Sequence, residues 1–234
     1  MLDGHVRNFG DALYEIFLDK KTIKTWKEDK ENMHFPVGSV IDNTVIQESL
    51  DLGYTPIFYN CGWRGKELDK DLIKHCTFYG VRGPETQKEL ARLGINVLVS
   101  LDPAYGVPAV VPQGYPNGLT LSIKHIKDPS EYSPNTAGNL GVDALFTPVV
   151  EDRQDILDII EKISGARFVL AGAMHAAIIA HAYKVPFALL DTGFVDCPPK
   201  WEDWLLSIGV TQVEWVDNII DGRKWHKDAV EKAE

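Results

Sequence analysis

Residues 167–190 read RFVLAGAMHAAIIAHAYKVPFALL, in which two short apolar runs flank a longer run rich in Ala and Ile. Arg167–Ala171 has the length of a buried strand, and Gly172 marks a turn after it. Met174–Tyr183 is long enough for a helix, and Val185–Leu190 is the second short run. Runs that are apolar throughout are typical of strands covered on both faces. This stretch therefore predicts a strand, a helix and a second strand, the repeating unit of a parallel sheet.

The same alternation continues towards the N-terminus. Asp152–Ile163 carries apolar residues at helical spacing, and Gly165 follows where a helix cap belongs. Cys76–Val81 predicts a strand, Pro84–Leu93 a helix, and Ile95–Leu101 another strand. The alternation predicts an α/β fold of two Rossmann-like halves, each built on a parallel sheet.

The boundary between the halves is predicted from turn-forming residues. Residues 108–118 contain three prolines and two glycines, a composition typical of a linker. We therefore predict an N-terminal half at residues 1–113 and a C-terminal half at residues 114–234. Asp128–Gly141 predicts a surface loop. Four of the six tryptophans lie in the last 34 residues, which predicts a C-terminal helix that packs back across both halves.

Composition excludes several classes of protein. The formal net charge of -10 repels polyanions, so nucleic acid is not expected as a partner. No apolar run approaches the roughly 20 residues of a membrane helix, and the start lacks a secretory signal, so we expect no transmembrane segment. A cytoplasmic location is predicted, with peripheral association at the inner face of the membrane as an alternative. The three cysteines lack paired spacing, so no metal site or disulfide is predicted.

The sharpest local motif is VRGPET at residues 81–86. Arg82 leaves the end of a predicted strand just before a helix begins, which would place its guanidinium beside free backbone N–H groups. Such a position is a natural anion site. The alternative is a surface ion pair of Arg82 with Glu85 or Glu89.

A second motif places His175 in the first turn of the helix after a buried strand. The N-terminus of a helix disfavours imidazolium, so a neutral imidazole there could accept a proton or bind a phosphate. A purely structural histidine is the alternative. His181 lies on another face of this helix, which excludes a two-histidine metal site.

Further polar turns follow other predicted elements. Asn8–Asp11 opens an amphipathic helix, in which Asp11 could be only a cap. Gly38 and Gly62 lie in turns where backbone could approach a ligand. Asp102 directly follows the predicted strand Ile95–Leu101, so it adds to a ring of residues at strand ends.

Taken in order, these segments resemble the polysaccharide pyruvyl transferase family. The resemblance implies two halves in a GT-B-like arrangement with a cleft between them. It also implies transfer of a pyruvyl group from phosphoenolpyruvate to a hydroxyl pair of a sugar, forming a ketal. No cofactor is expected, and the partners would be the donor and a sugar acceptor carried on a nucleotide or a lipid. The motifs are Asn8–Asp11, Gly38–Ser39, Val81–Thr86 with Leu90 and Gly94, Asp102–Pro103, Met174–Ala176 and Val185–Pro186.

The resemblance also implies roles for individual residues. Arg82 would hold the donor's phosphate or carboxylate, and His175 would transfer a proton or bind phosphate in the transition state. Lys124, after the predicted strand Leu119–Ile123, would supply a second positive charge. The predicted substrate-binding residues are Asn8, Gly10, Asp11, Gly38, Ser39, Gly62, Asp102, Lys124, Gly172 and Met174.

Two departures keep other functions open. Little sequence precedes Asn8, and Ala173 stands where many relatives carry Arg or Ser. One alternative is a GT-B-type glycosyltransferase that uses a nucleotide sugar. The other, favoured by Ala173, is a non-catalytic member that binds a glycan precursor.

Overall fold

The computed structural model describes residues 7–233, which contain ten strands and eleven α-helices. The strands β1–β10 are Arg7–Asn8, Asn32–Phe35, Thr55–Phe58, Thr77–Phe78, Thr120–Ile123, Ala144–Phe146, Val149–Val150, Phe168–Ala171, Phe187–Leu190 and Trp215–Val216. The helices α1–α11 are Phe9–Ala12, Tyr14–Phe17, Lys20–Glu28, Asn43–Asp51, Lys70–Ile73, Pro84–Arg92, Pro134–Leu140, Arg153–Ser164, Met174–Ala182, Pro198–Ser207 and Ile219–Trp225. A 3-10 helix at Pro103–Ala109 and a π-helical turn at His226–Val230 complete the described elements.

The chain forms two compact units, and neither is continuous in sequence. Among the described residues, unit 1 contains residues 7–17, Ala104–Asp196 and residues 212–233. Unit 2 contains Leu18–Pro103 and Cys197–Thr211. The predicted halves were continuous and met at residues 113 and 114, whereas the chain passes between these units at four points.

Unit 1 is built on a five-stranded parallel sheet with the order β10-β9-β8-β5-β6. Numbered along the chain, this is the 2-1-3-4-5 order of doubly wound α/β folds. The predicted strand, helix and strand of residues 167–190 are confirmed as β8, α9 and β9. Every residue of α9 from Met174 to Ala180 is buried, which explains why this helix is apolar on all sides.

The helix predicted at Asp152–Ile163 is confirmed as α8, Arg153–Ser164. Asp152 caps it, and Asp155 completes a capping box by accepting the backbone N–H of Asp152. Its isoleucines at the predicted helical spacing are buried. The capping residues and the burial of one apolar face therefore both favour a helix at this position.

Unit 2 is built on three parallel strands in the order β2-β3-β4. Phe35, Phe58 and Phe78 stack across them, with ring centroids 5.0 and 5.2 Å apart, and pack in the core of the unit. The prediction of a strand at Ile95–Leu101 is wrong, because this segment makes only a single β-bridge, from Val99 to Val81. Ile95 and Val97 pack against the core while Leu98 and Leu101 are exposed, so the run is not covered on both faces.

Two further predictions are revised. The loop predicted at Asp128–Gly141 contains α7, which Ser133 caps and Gly141 ends in a left-handed conformation with φ 72°. The C-terminal tryptophans divide between the units: α10 carries Trp201 and Trp204 and packs against α6, whereas Trp225 ends α11 of unit 1. Among residues 7–233, no helix is long and apolar enough to cross a membrane.

Candidate functional site

The topological switch point of unit 1 lies between β5 and β8. These strands are neighbours in the sheet, and the chain runs outward from them in opposite directions to β6 and to β9. Ligands of open α/β sheets bind outside the carboxyl ends of the strands at such a point. Lys124 directly follows β5, and Gly172 directly follows β8. Two of the predicted site residues therefore lie at the position that the topology favours for a ligand.

Gly172 allows these two strand ends to meet closely. The backbone N–H groups of Gly172 and Ala173 both donate to the carbonyl of Ile123, at 2.8 and 3.1 Å. A Cβ atom at residue 172 would lie 3.3 Å from the Cα atom of Lys124 and 3.4 Å from the Ile123 carbonyl oxygen. Glycine is thus favoured here by packing of backbone against backbone.

His175 is the second residue of α9 and is only 8% exposed. Ala173 occupies the N-cap position of this helix and provides no side-chain hydrogen bond. The first turn of α9 therefore follows directly on the switch point and presents the positive end of a helix dipole there. Met174, a predicted binding residue, precedes His175 and is buried.

The backbone of Gly10 lies directly against the imidazole of His175. A Cβ atom at residue 10 would overlap the Nδ1 atom of His175 and would lie 2.7 Å from its Cγ atom. The Asn8 side chain caps α1 by accepting the Gly10 N–H at 3.3 Å, and the exposed Asp11 accepts a hydrogen bond from Asn8. The cap of this helix is therefore Asn8 rather than Asp11, and Gly10 is brought to His175.

Lys124 is held by its own loop. Its Nζ atom donates to the carbonyls of Asp128 at 3.2 Å and Ser130 at 2.7 Å, and it lies 5.0 Å from the ring centroid of Tyr132. The Asp128 carboxylate in turn accepts the Thr192 hydroxyl at 2.6 Å. The ammonium is thus fixed at the carboxyl end of β5.

Arg82 is the centre of a second cluster, which lies in unit 2. Its guanidinium donates to the Ser39 hydroxyl at 2.8 Å and to the Lys200 carbonyl at 3.3 Å, and it lies 3.8 Å from the Asp102 carboxylate. The side chains of Arg82 and Asp102 are fully buried. The surface ion pair considered for Arg82 is therefore absent, and its two candidate partners pair with Lys88 and Arg92 instead.

Two glycines shape this cluster. A Cβ atom at Gly62 would overlap the Arg82 guanidinium, so glycine is needed for the guanidinium to lie flat against the backbone. Gly38 has φ 111°, a conformation that favours glycine, and its carbonyl accepts the Gly62 N–H at 3.0 Å. The predicted residues Gly38, Ser39, Gly62, Arg82 and Asp102 are thus brought together.

The free anion site predicted at the start of α6 is wrong, because an internal carboxylate occupies it. Asp203 of α10 accepts the Thr86 backbone N–H at 2.9 Å and the Thr86 hydroxyl at 2.6 Å. Asp203 is fully buried, and a Cβ atom at Gly83 would overlap it. The sequence contained a signal for this contact: an acid between Trp201 and Trp204 on an apolar helix face requires a buried partner.

Comparison with known proteins tests the resemblance. A family model described as polysaccharide pyruvyl transferase matches residues 44–193. The chain belongs to this family. A 69-residue segment is 35% identical to the succinoglycan biosynthesis protein ExoV of Rhizobium meliloti (strain 1021) and covers 30% of this chain. The same segment spans only 22% of that relative's length.

The pyruvyl transferase match includes most of the predicted site. Arg82, Lys124 and His175 lie inside residues 44–193, whereas Gly10 and Asp203 lie outside them. Among residues 7–233, no group of three His, Cys, Asp or Glu side chains could hold a metal ion.

Proposed function

We propose that this polysaccharide pyruvyl transferase family member transfers a pyruvyl group from phosphoenolpyruvate to two hydroxyls of a sugar in exopolysaccharide biosynthesis. Family membership supports a transferase of polysaccharide biosynthesis. The observation that carries the finer proposal is the switch point of unit 1, which places Lys124, Gly172 and His175 at neighbouring strand ends. The GT-B-like arrangement and the cytoplasmic location stay predictions.

The switch point suits an anionic donor. Phosphoenolpyruvate carries a phosphate and a carboxylate, and the N-terminus of α9 attracts anions through its dipole. The Lys124 ammonium has three donor protons, and two backbone carbonyls accept from it. We assign the phosphate to the start of α9 and the third donor proton of the Lys124 ammonium to the second anionic group.

His175 is assigned to proton transfer. Protonation of the donor's methylene carbon gives a methyl group and a cation at the neighbouring carbon, which one sugar hydroxyl attacks with loss of its proton. The C–O bond to phosphate then breaks, inorganic phosphate leaves, and the second hydroxyl closes the ketal with loss of its proton. A positioned neutral imidazole that accepts the proton of the attacking sugar hydroxyl would contribute about 10²–10⁴-fold. Gly10 makes room for the ring of His175 beside the start of α1.

Arg82 is assigned to positioning in this proposal. Its buried guanidinium fixes Ser39 and compensates Asp102. The direct donor contact predicted from the sequence would require this side chain to become exposed. Arg82 therefore supports the loop at Gly38 and Ser39.

The test is an assay of purified protein with phosphoenolpyruvate and a mixture of lipid-linked and nucleotide-linked saccharides. We expect phosphate release that depends on the saccharide, with acid-labile pyruvate in the product. His175→Gln should lower the rate by about 10²–10⁴-fold, whereas the exposed His75→Gln should match the wild type. Transfer of a sugar from a nucleotide sugar, with no phosphate released from phosphoenolpyruvate, would overturn the proposal.

A non-catalytic member is the second candidate, because Ala173 provides no polar group at the start of α9. It predicts that the protein binds phosphoenolpyruvate or a saccharide and releases no phosphate. An Ala173→Ser variant separates the two, since a gain of turnover from zero would show that a missing side chain had silenced the site.

A further inference from the structure

One face of the unit 2 sheet carries four stacked rings, His34, Tyr59, Tyr79 and Trp26, which we term the aromatic row. Trp26 stacks on His34 with centroids 4.7 Å apart and on Tyr59 at 4.8 Å. Tyr59 stacks on Tyr79 at 5.2 Å with the planes 14° apart. The row is therefore a continuous stack that ends in Tyr79.

The row lies on the opposite face of the sheet from the core phenylalanines. His34, Tyr59 and Tyr79 are each next in sequence to one of the stacked phenylalanines, and successive side chains of a strand point to opposite faces. Tyr59 directly follows β3, and Tyr79 directly follows β4. The row thus lies at the carboxyl ends of parallel strands, where ligands bind in open α/β sheets.

Polar contacts fix the inner part of the row. The Nε2 atom of His34 lies 3.0 Å from the Asp29 carboxylate, and its Nδ1 atom lies 3.0 Å from the Tyr59 hydroxyl. The hydrogen bond from His34 lowers the pKa of Asp29, so this carboxylate stays ionised and accepts the Nε2 proton. Burial raises the pKa of Tyr59, so its phenol stays neutral, and its hydroxyl is hydrogen-bonded to Nδ1 of His34. Tyr59 is therefore a rigid support for the ring stacked on it.

Tyr79 is 67% exposed although one face of its ring is stacked. A ring that is both exposed and held in place can bind a flat apolar surface with little further loss of side-chain freedom.

We propose that the aromatic row is a subsite for the acceptor glycan, in which a neutral pyranose ring stacks on the outer face of Tyr79. The C–H groups on one face of such a sugar are apolar and carry partial positive charge, which suits the negative face of an aromatic ring. A neutral saccharide is not repelled by the net charge of -10. This inference rests on the proposed function, which requires a glycan acceptor.

The test is calorimetric titration of the full chain with cellotetraose and with β-1,4-galactotetraose, in the absence of donor. Wild-type protein should bind at least one of them saturably, and Tyr79→Ala should weaken binding by about tenfold, the expected loss of one aromatic stack. Tyr79→Phe keeps the ring and should stay within about threefold. Tyr115→Ala removes another exposed tyrosine, 90% exposed and outside the row, and should change nothing.

Failure of this inference can be told apart from failure of the proposed function. With an active preparation, Tyr79→Ala should raise KM for the saccharide and leave KM for phosphoenolpyruvate unchanged. Saturable glycan binding without phosphate release would support the subsite and contradict only the catalytic proposal. Absence of binding to both tetrasaccharides, or equal affinity of wild type and Tyr79→Ala, would overturn the subsite.

Discussion

The clusters around His175 and Arg82 both follow parallel strands, yet they differ in how their polar groups are satisfied. In unit 2, Arg82 meets a hydroxyl, a carbonyl and a buried carboxylate of the same unit. In unit 1, His175 follows the topological switch point, where an alanine caps its helix without a side-chain hydrogen bond. A charge that the fold itself compensates supports structure, whereas a helix end at a switch point is suited to an external anion.

The glycines show the same difference. Gly62 makes room for the guanidinium of a buried ion pair, and Gly10 makes room for the ring proposed to move a proton. Substituting Gly62 should therefore affect folding, and substituting Gly10 should affect turnover.

The largest effect is expected for Arg82→Ala. Removing the guanidinium leaves the Asp102 carboxylate buried without the cation 3.8 Å away, which should lower the free energy of unfolding by about 3–5 kcal/mol. Urea denaturation measures this loss. Arg92→Ala removes an arginine from an exposed pair with Glu89 and should cost at most about 1 kcal/mol. Equal losses in the two variants would show that Arg82 is not a structural residue.

Gly10→Ala should affect turnover more than stability. The new methyl group overlaps the imidazole of His175 and must displace it, and a displacement of about 1 Å at a reacting group can cost about 10²-fold in kcat. Gly106→Ala is the matched control, because a Cβ atom there meets nothing within 4 Å. If both variants turned over phosphoenolpyruvate like the wild type, the contact with His175 would have no role in catalysis.

Asp203→Asn tests the internal cap of α6. The substitution removes the charge that accepts both the N–H and the hydroxyl of Thr86, at an expected cost of about 1.5–3 kcal/mol in unfolding free energy. Glu202→Gln, on the exposed side of the same helix, should change stability by less than about 0.5 kcal/mol. An unchanged denaturation midpoint in Asp203→Asn would mean that water or another group caps α6.

The smallest effect is expected for Cys76, whose alkylation rate reports how readily this part of unit 2 opens. Burial raises the pKa of this thiol to about 12, so thiolate is scarce at pH 8 and increases as the pH rises towards that value. Alkylation of Cys76 by iodoacetamide at pH 8 should be at least about tenfold slower in native than in urea-denatured protein. Equal rates by peptide mass spectrometry would indicate that this part of unit 2 opens readily.

The sequence predicted the elements whose local and tertiary signals agree. In residues 167–190, the strands Phe168–Ala171 and Phe187–Leu190 are apolar and fully buried, and the helix between them is buried from Met174 to Ala180, so the predicted strands and helix are confirmed. Ile95–Leu101 is also largely apolar, but it packs on one side only, and the composition of the run does not show how many of its sides are covered. The helix at Pro134–Leu140 was missed because its Pro- and Asn-rich composition outweighed the caps at Ser133 and Gly141.

The candidate site was predicted only in part, because only some of its contacts have a local signal in the sequence. Strand-end turns identified the residues around Arg82 and His175, since short motifs record local backbone geometry. Asp203 reaches α6 from more than a hundred residues away in sequence, so no local pattern around VRGPET could reveal it. The aromatic row combines α3 with the ends of three strands and likewise required the folded chain.

The central claim, that the donor binds at the switch point of unit 1, is tested most directly by calorimetric titration with phosphoenolpyruvate. We expect saturable binding by the wild type and a loss of about 10–100-fold in Lys124→Gln, which lacks the ammonium at the carboxyl end of β5. Ser39→Ala, which alters only the Arg82 cluster, should bind as the wild type does. Binding that survives in Lys124→Gln and disappears in Ser39→Ala would contradict the claim and place the donor beside Arg82.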